Sequence, residues 1–145
     1  MKTLLSILVT ALLAADVQAA EMESSPVVQF GHEQVAAAFA KGATLLVTNN
    51  FKVMAGRRDA PGAVELHTRD TDVFYILEGS AVFVTGGKGT EMKTAADGEV
   101  RGKEIIGGET RKLVKGDVIV IPNGVPHWFK QVDGEFRYFV VKVSR

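Results

Sequence analysis

One stretch constrains this chain more than any other: Gly116-Asp-Val-Ile-Val-Ile-Pro122-Asn-Gly124-Val-Pro126-His127. Gly116 permits a tight turn into the apolar run, Pro122 ends the strand, and Gly124 restores backbone freedom. Pro126 then restricts Val125 to extended geometry, so the backbone reaches His127 stiffly. A buried strand that ends in a tight turn and presents an imidazole is predicted. Upstream, Glu65-Leu-His67-Thr-Arg69-Asp-Thr-Asp72-Val-Phe-Tyr75-Ile-Leu-Glu-Gly79 offers a second imidazole flanked by carboxylates.

Side chains on a strand alternate faces, so Glu65 and His67 share a side. Asp72 opens the next run, with Phe74 and Ile76 on its side and Val73, Tyr75 and Leu77 on the other. Both sets are apolar, as in a strand sandwiched between two layers.

The rest of the chain fits a β framework. Candidate strands are 44–47, 51–55, 63–67, 73–77, 81–85, 118–121, 127–131 and 137–143, separated by Gly, Asn and Asp turn signals that include Gly79 and Gly134. Fifteen glycines and many β-branched residues agree with that class. Residues 86–114 form a long polar stretch, read as exposed loop with a hairpin around 101–106. Residues 31–42 are Ala-rich and close on Gly42, which predicts a short helix with His32 solvated at its start.

At 145 residues the chain is one domain long. Residues 1–19, with Lys2, an apolar run over 4–15 and small residues up to Ala19, read as a secretory signal peptide. Residues 20–43 are a lead-in with the helix, and 44–145 are a single β-domain. The mature protein is therefore expected to be periplasmic or secreted, with no membrane association after cleavage. Seventeen basic and seventeen acidic residues balance, and no basic stripe suggests nucleic acid. The absence of cysteine excludes a disulfide, a thiolate ligand and a thiol nucleophile.

The two motifs together resemble the cupin superfamily. Its second motif, a Gly, five residues, Pro-x-Gly, two residues and His, is met by Gly116, Pro122, Gly124 and His127, with Gln131 where the family has Asn. Its first motif, His-x-His, three or four residues, Glu, six residues and Gly, is met by Glu65, His67, Asp72 and Gly79. Glu65 thus replaces a histidine and Asp72 a glutamate. The resemblance implies an all-β fold, a cupin-type jelly-roll barrel behind a short N-terminal helix, whose interior holds what the motif residues bind.

Two imidazoles and two carboxylates inside a barrel call for something to neutralise the charge. His67, Asp72, His127 and Glu65 are therefore the candidate ligands of a divalent metal ion, with Fe(II) or Mn(II) favoured and Ni(II) or Zn(II) also suited to the set. The bland alternative turns Glu65 to solvent, makes Asp72 a turn cap and leaves both histidines as hydrogen-bonded core residues. Glu65 is also a candidate catalytic base beside the ion. Phe129 shares the face of His127 and is expected to line a pocket, with Trp128 pointing away. Arg69 and Tyr75 are conceivable substrate contacts, although a solvated position is the commoner case for an arginine.

Two functions follow from the resemblance. One is a metal-dependent enzyme acting on a small oxygenated molecule, a dioxygenase or an isomerase. The other is a non-catalytic module binding a small, sugar-like ligand, with structural metal or none. The run 136–143 is apolar on both faces, and the resemblance implies a homodimer formed through such a strand.

Overall fold

The computed structural model describes residues 26–145. The expected signal peptide and residues 20–25 of the lead-in lie outside the described residues. Helix α1, His32–Lys41, forms where predicted. The Gly31 N–H donates to Gln34 Oε1 at 3.0 Å, which satisfies one amide at the helix start. Gly42 ends it at φ 69°, a conformation that L side chains rarely adopt.

Eleven strands follow among the described residues: β1 (Ala43–Val47), β2 (Phe51–Arg58), β3 (Val64–His67), β4 (Asp70–Thr85), β5 (Lys88–Gly89), β6 (Lys93–Ala96), β7 (Glu99–Gly102), β8 (Ile105–Ile106), β9 (Glu109–Val114), β10 (Val118–Ile121) and β11 (His127–Ser144). The fold is a jelly roll. Its first layer runs β1, β2, the second half of β11, the first half of β4, then β10. Its second runs β6, β7, β3, the first half of β11, the second half of β4, then β9.

The breaks predicted at Gly79 and Gly134 are not breaks. β4 and β11 pass through both positions as continuous strands and carry the chain from one layer to the other. The register between them slips from Asp133 to Arg137, a bulge that bends both strands. Gly79, at φ 78°, sits against the Glu135 carbonyl in the corner, where no Cβ fits. The bend at Gly79 changes which residues of β4 face inward: Asp72, Phe74 and Ile76 are buried before it, and Ala81 and Phe83 after it. On β11 the change comes at the bulge between Phe129 and Gln131: His127 and Phe129 face inward before it, and Val132, Phe136, Tyr138 and Val140 after it.

Residues 86–114 are more ordered than exposed loop. β6 and β7 form a hairpin that extends the second layer, and β5 pairs with β8 in a separate two-stranded sheet. The hairpin predicted around 101–106 is therefore displaced toward 93–102, because β7 finds a partner in β3.

Phe74, Phe83, Phe129, Phe136 and Tyr138 form the centre of the barrel core. Phe83 and Phe129 lie 4.6 Å apart between ring centroids, tilted as aromatic pairs prefer. Outside the barrel, Phe39 and Ala38 of α1 pack on Ala55, Leu77 and Phe139. This accounts for the doubly apolar run in β11. Its inner face feeds the core, Phe139 on the outer face meets the helix, and both of its edges are taken by β2 and β4.

Candidate metal centre

Strand pairing assembles the site at the floor of the barrel. His127 begins β11 directly opposite Glu65 on β3, while Glu65 faces Arg101 and His67 faces Glu99 on β7. On the other side Asp72 of β4 stands opposite Lys142 of β11. Residues directly opposed in antiparallel strands have neighbouring side chains, so these pairings fix the contacts that follow.

The turn before His127 behaves as its sequence predicts. Gly116 and Gly124 adopt φ 94° and 79°, and Pro122 follows the last residue of β10. The Gly124 N–H donates to the His67 carbonyl at 2.7 Å, tying the two motifs together.

Both imidazoles are buried, and each has one nitrogen held by a neighbouring group. His127 Nδ1 lies 3.1 Å from the Val125 carbonyl, which can only accept, so the proton sits on Nδ1 and the Nε2 lone pair is free. Burial holds the His127 ring below its ordinary pKa, reinforced by nearby His67 and opposed by the Val125 carbonyl and the two carboxylates. The ring is neutral, as a ligand must be. Its Nε2 is buried without a hydrogen-bond partner. His67 Nε2 accepts from the Lys142 ammonium at 2.8 Å, which places its proton on Nδ1. Glu99 Oε2 approaches that nitrogen to 2.9 Å, off the ring N–H direction.

Glu65 completes a group of three. Its Oε2 lies 3.7 Å from His67 Nε2 and 3.9 Å from His127 Nε2, and one donor atom from each residue falls within 4.8 Å of the others. Donors on an ion with bonds of about 2.1 Å stand roughly 3.0 to 3.4 Å apart. The Glu65 oxygen would have to close on each imidazole nitrogen by about half an ångström, a movement side-chain rotation supplies. Glu65, His67 and His127 therefore form a group that could hold a metal ion.

Asp72 lies beside this group, with Oδ2 3.3 Å from His67 Nε2 and 3.9 Å from His127 Nε2. Both of its oxygens accept from Lys142, at 2.7 and 2.8 Å. Burial alone would raise its pKa, but the paired Lys142 ammonium outweighs it and holds the carboxyl below its ordinary range.

The charge balance differs from the one the motifs suggested. Arg58 donates to Glu65 Oε1 at 2.9 Å, Arg101 to Glu99 at 2.9 Å, and Lys142 to Asp72, so each carboxylate has its own cation. The fold supplies the neutralisation that had been assigned to a metal. What still points to an ion is the buried, unpartnered Nε2 of His127 facing Glu65. Neutralisation by Arg58 also leaves Glu65 better placed as a ligand than as a base.

Above this floor opens a cavity of about 440 Å³. Glu65, His67, Asp72 and Lys142 form its polar end, and Met54, Phe74, Phe129 and Val140 its apolar wall. His127 lies behind them, off the cavity wall. Phe129 lines the pocket as expected, while Trp128 points away and donates to the Gly62 carbonyl at 2.7 Å. Arg69 and Tyr75 do not reach the cavity: Arg69 pairs with Asp97, and Tyr75 is exposed on the outer face. Gln131 is also exposed and donates to Asp133. Arg58, Glu99, Arg101 and Lys142 are site residues that the two motifs do not contain.

The family model described as cupin matches residues 22–144. Among solved structures, a Bacillus halodurans protein is similar over 85% of this chain and 84% of its own, at 12% identity and a TM-score of 0.58. The Schizosaccharomyces pombe Cnp3 cupin domain is similar over 72% of this chain at 15% identity and a TM-score of 0.52, and this chain covers 60% of it. An RmlC-like cupin family protein with a double-stranded β-helix fold from Methanocaldococcus jannaschii matches 71% of this chain and 78% of its own, at 11% identity and a TM-score of 0.50. At these identities the likeness concerns the fold. No curated protein matches the sequence significantly.

Proposed function

The chain belongs to the cupin family, and on that premise we propose that it holds a divalent cation between Glu65, His67 and His127 and binds a small oxygenated molecule in the cavity above. The observation that carries this reading is the His127 Nε2 lone pair, buried, unpartnered and fixed in direction by the Val125 carbonyl. A neutral imidazole whose other nitrogen is held by a backbone carbonyl has the character of a metal ligand. Fe(II) or Mn(II) suits a set of two imidazoles and a carboxylate with open positions.

A bound divalent ion would supply Lewis-acid polarisation of a ligand oxygen or, as Fe(II), redox chemistry. The chain's own residues do the rest. Tyr138 offers a hydrogen-bond donor on the cavity wall, its hydroxyl staying protonated because burial pushes its pKa up despite neighbouring Arg58. Met54, Phe129 and Val140 exclude water from a compact apolar body. Arg58 holds Glu65 in place while lying 4.6 Å over the Phe129 ring.

Metal analysis of protein purified without chelator or metal-affinity resin, with His67→Ala, His127→Ala as control, tests the centre. Near-stoichiometric Fe or Mn that the control lacks supports the reading; no metal after reconstitution overturns it. Turnover of a bound oxygenated compound that requires dioxygen would identify a dioxygenase, and isomerisation without dioxygen an isomerase. Binding without turnover would identify the non-catalytic module, which the self-neutralised charge of the pocket favours as the second reading. Export of the mature chain is part of the proposal, supported by the pattern of Lys2, the apolar run and Ala19; an N-terminus at Ala20 in secreted material would bear it out.

A further inference from the structure

We propose that Lys142 is the resident cation of the site, holding with its ammonium the ground a divalent ion would take, so that metal binds only by displacing it. The inference rests on the metal reading above and concerns a residue outside both motifs. Three distances carry it: Lys142 Nζ lies 2.8 Å from His67 Nε2 and 2.7 and 2.8 Å from the two oxygens of Asp72. An ammonium so placed uses the His67 lone pair that a metal would use. It also occupies both oxygens of the carboxylate next to the proposed ion.

The placement follows from the fold rather than from a flexible surface chain. Lys142 stands opposite Asp72 in the sheet and continues the inward face of Phe136, Tyr138 and Val140. Its side chain is 12% exposed and Asp72's is 2% exposed, so the pair is held inside the barrel. Lysine suits this role because its ammonium is a compact point charge with three donors, here directed to two Asp72 oxygens and one imidazole nitrogen. A four-carbon stem lets the ammonium withdraw toward the cavity, which Lys142 lines.

Metal entry must therefore break the hydrogen bond from the Lys142 ammonium to His67 Nε2, and a chain without Lys142 would not have to. Mn(II) affinity, measured by calorimetry and by competition with a chelator, is the readout. Lys142→Met should bind Mn(II) about tenfold to a hundredfold more tightly than the wild type, the range that the loss of such a hydrogen bond implies. Because that change leaves Asp72 buried and unpaired, a second comparison covers failure to fold. Lys142→Met, Asp72→Asn should bind Mn(II) more tightly than Asp72→Asn alone, since only the former frees His67 Nε2.

Equal or weaker affinity without Lys142 overturns the inference and leaves the metal reading standing; a purely structural lysine would lower stability and leave affinity unmoved. Metal bound by the Lys142 variants and not by the wild type upholds the inference while overturning the metal reading for the natural chain. No Mn(II) bound by any of them overturns both.

Discussion

The Lys142 ammonium rests on both oxygens of Asp72, two residues that stand directly opposite each other on neighbouring strands. A carboxylate in the barrel interior is costly in isolation, and this lysine makes it tolerable. Removing one partner of such a pair is expensive because the other charge stays behind in a poor solvent. Asp72→Asn should therefore destabilise the fold by about 3 kcal/mol. Urea unfolding would show it as a lower midpoint at constant slope, and a midpoint equal to the wild type's would refute the assignment.

The same pair sets a pH dependence. The folded carboxyl of Asp72 titrates below its ordinary value of 3.8, so the unfolded chain takes up the proton first on acidification. The stability from this group is thus fully present above the unfolded pKa and is lost as pH falls through the folded one. Stability of the wild type should drop below about pH 4, and the wild-type advantage over Asp72→Asn should shrink there. An advantage that stays constant down to pH 2 would contradict the lowered pKa.

Much of this was legible in the sequence. The turn glycines, the halting proline and the spacing of Glu65, His67, Asp72 and His127 are local features, and local geometry follows from them. Lys142 was not legible, because its facing depends on the bulge between Phe129 and Gln131, after which Val132 already packs on the core. Counting alternate residues from His127 puts odd positions inward along all of β11. The bulge makes 136, 138, 140 and 142 the inward set instead. A weak signal existed: Lys142 shares its parity with Phe136, Tyr138 and Val140. Glu99 and Arg101 were hidden differently. They lie in a polar stretch that reads as loop, and only pairing of β7 with β3 brings them to the histidines.

Arg58 supports the site from the cavity wall, through Glu65 Oε1 at 2.9 Å and the Tyr138 hydroxyl at 3.3 Å. A guanidinium meets both at once because its donors are set in a rigid plane. Arg58→Lys keeps the charge and loses that geometry. Divalent-metal affinity should fall by about tenfold, the lower end for residues that orient a ligand, while the unfolding midpoint moves little. Chelator competition alongside urea unfolding would separate the two effects. Unchanged affinity would mean that Glu65 does not need Arg58 to hold its position.

Gly79 and Gly134 mark the two bends that make a barrel out of long strands, and they should respond differently to the same substitution. Both hold positive φ, 78° and 72°, so alanine at either meets backbone strain of roughly 1 to 2 kcal/mol. At Gly134 nothing lies within 4 Å of the added methyl, and strain should be the whole effect. At Gly79 the methyl runs into the Glu135 carbonyl, with the Phe136 Cα only 3.1 Å away. Those are backbone atoms of the opposing bend and cannot rotate aside, so β4 and β11 must separate where they cross between layers. Gly79→Ala should cost about 3 kcal/mol or more, well beyond Gly134→Ala. The separation should also reach the site, because the same two strands carry Asp72 and Lys142 on one side of the bend and His127 on the other. Similar unfolding midpoints for the two variants would show that the corner tolerates a Cβ and that close approach at Gly79 does not hold the layers in register.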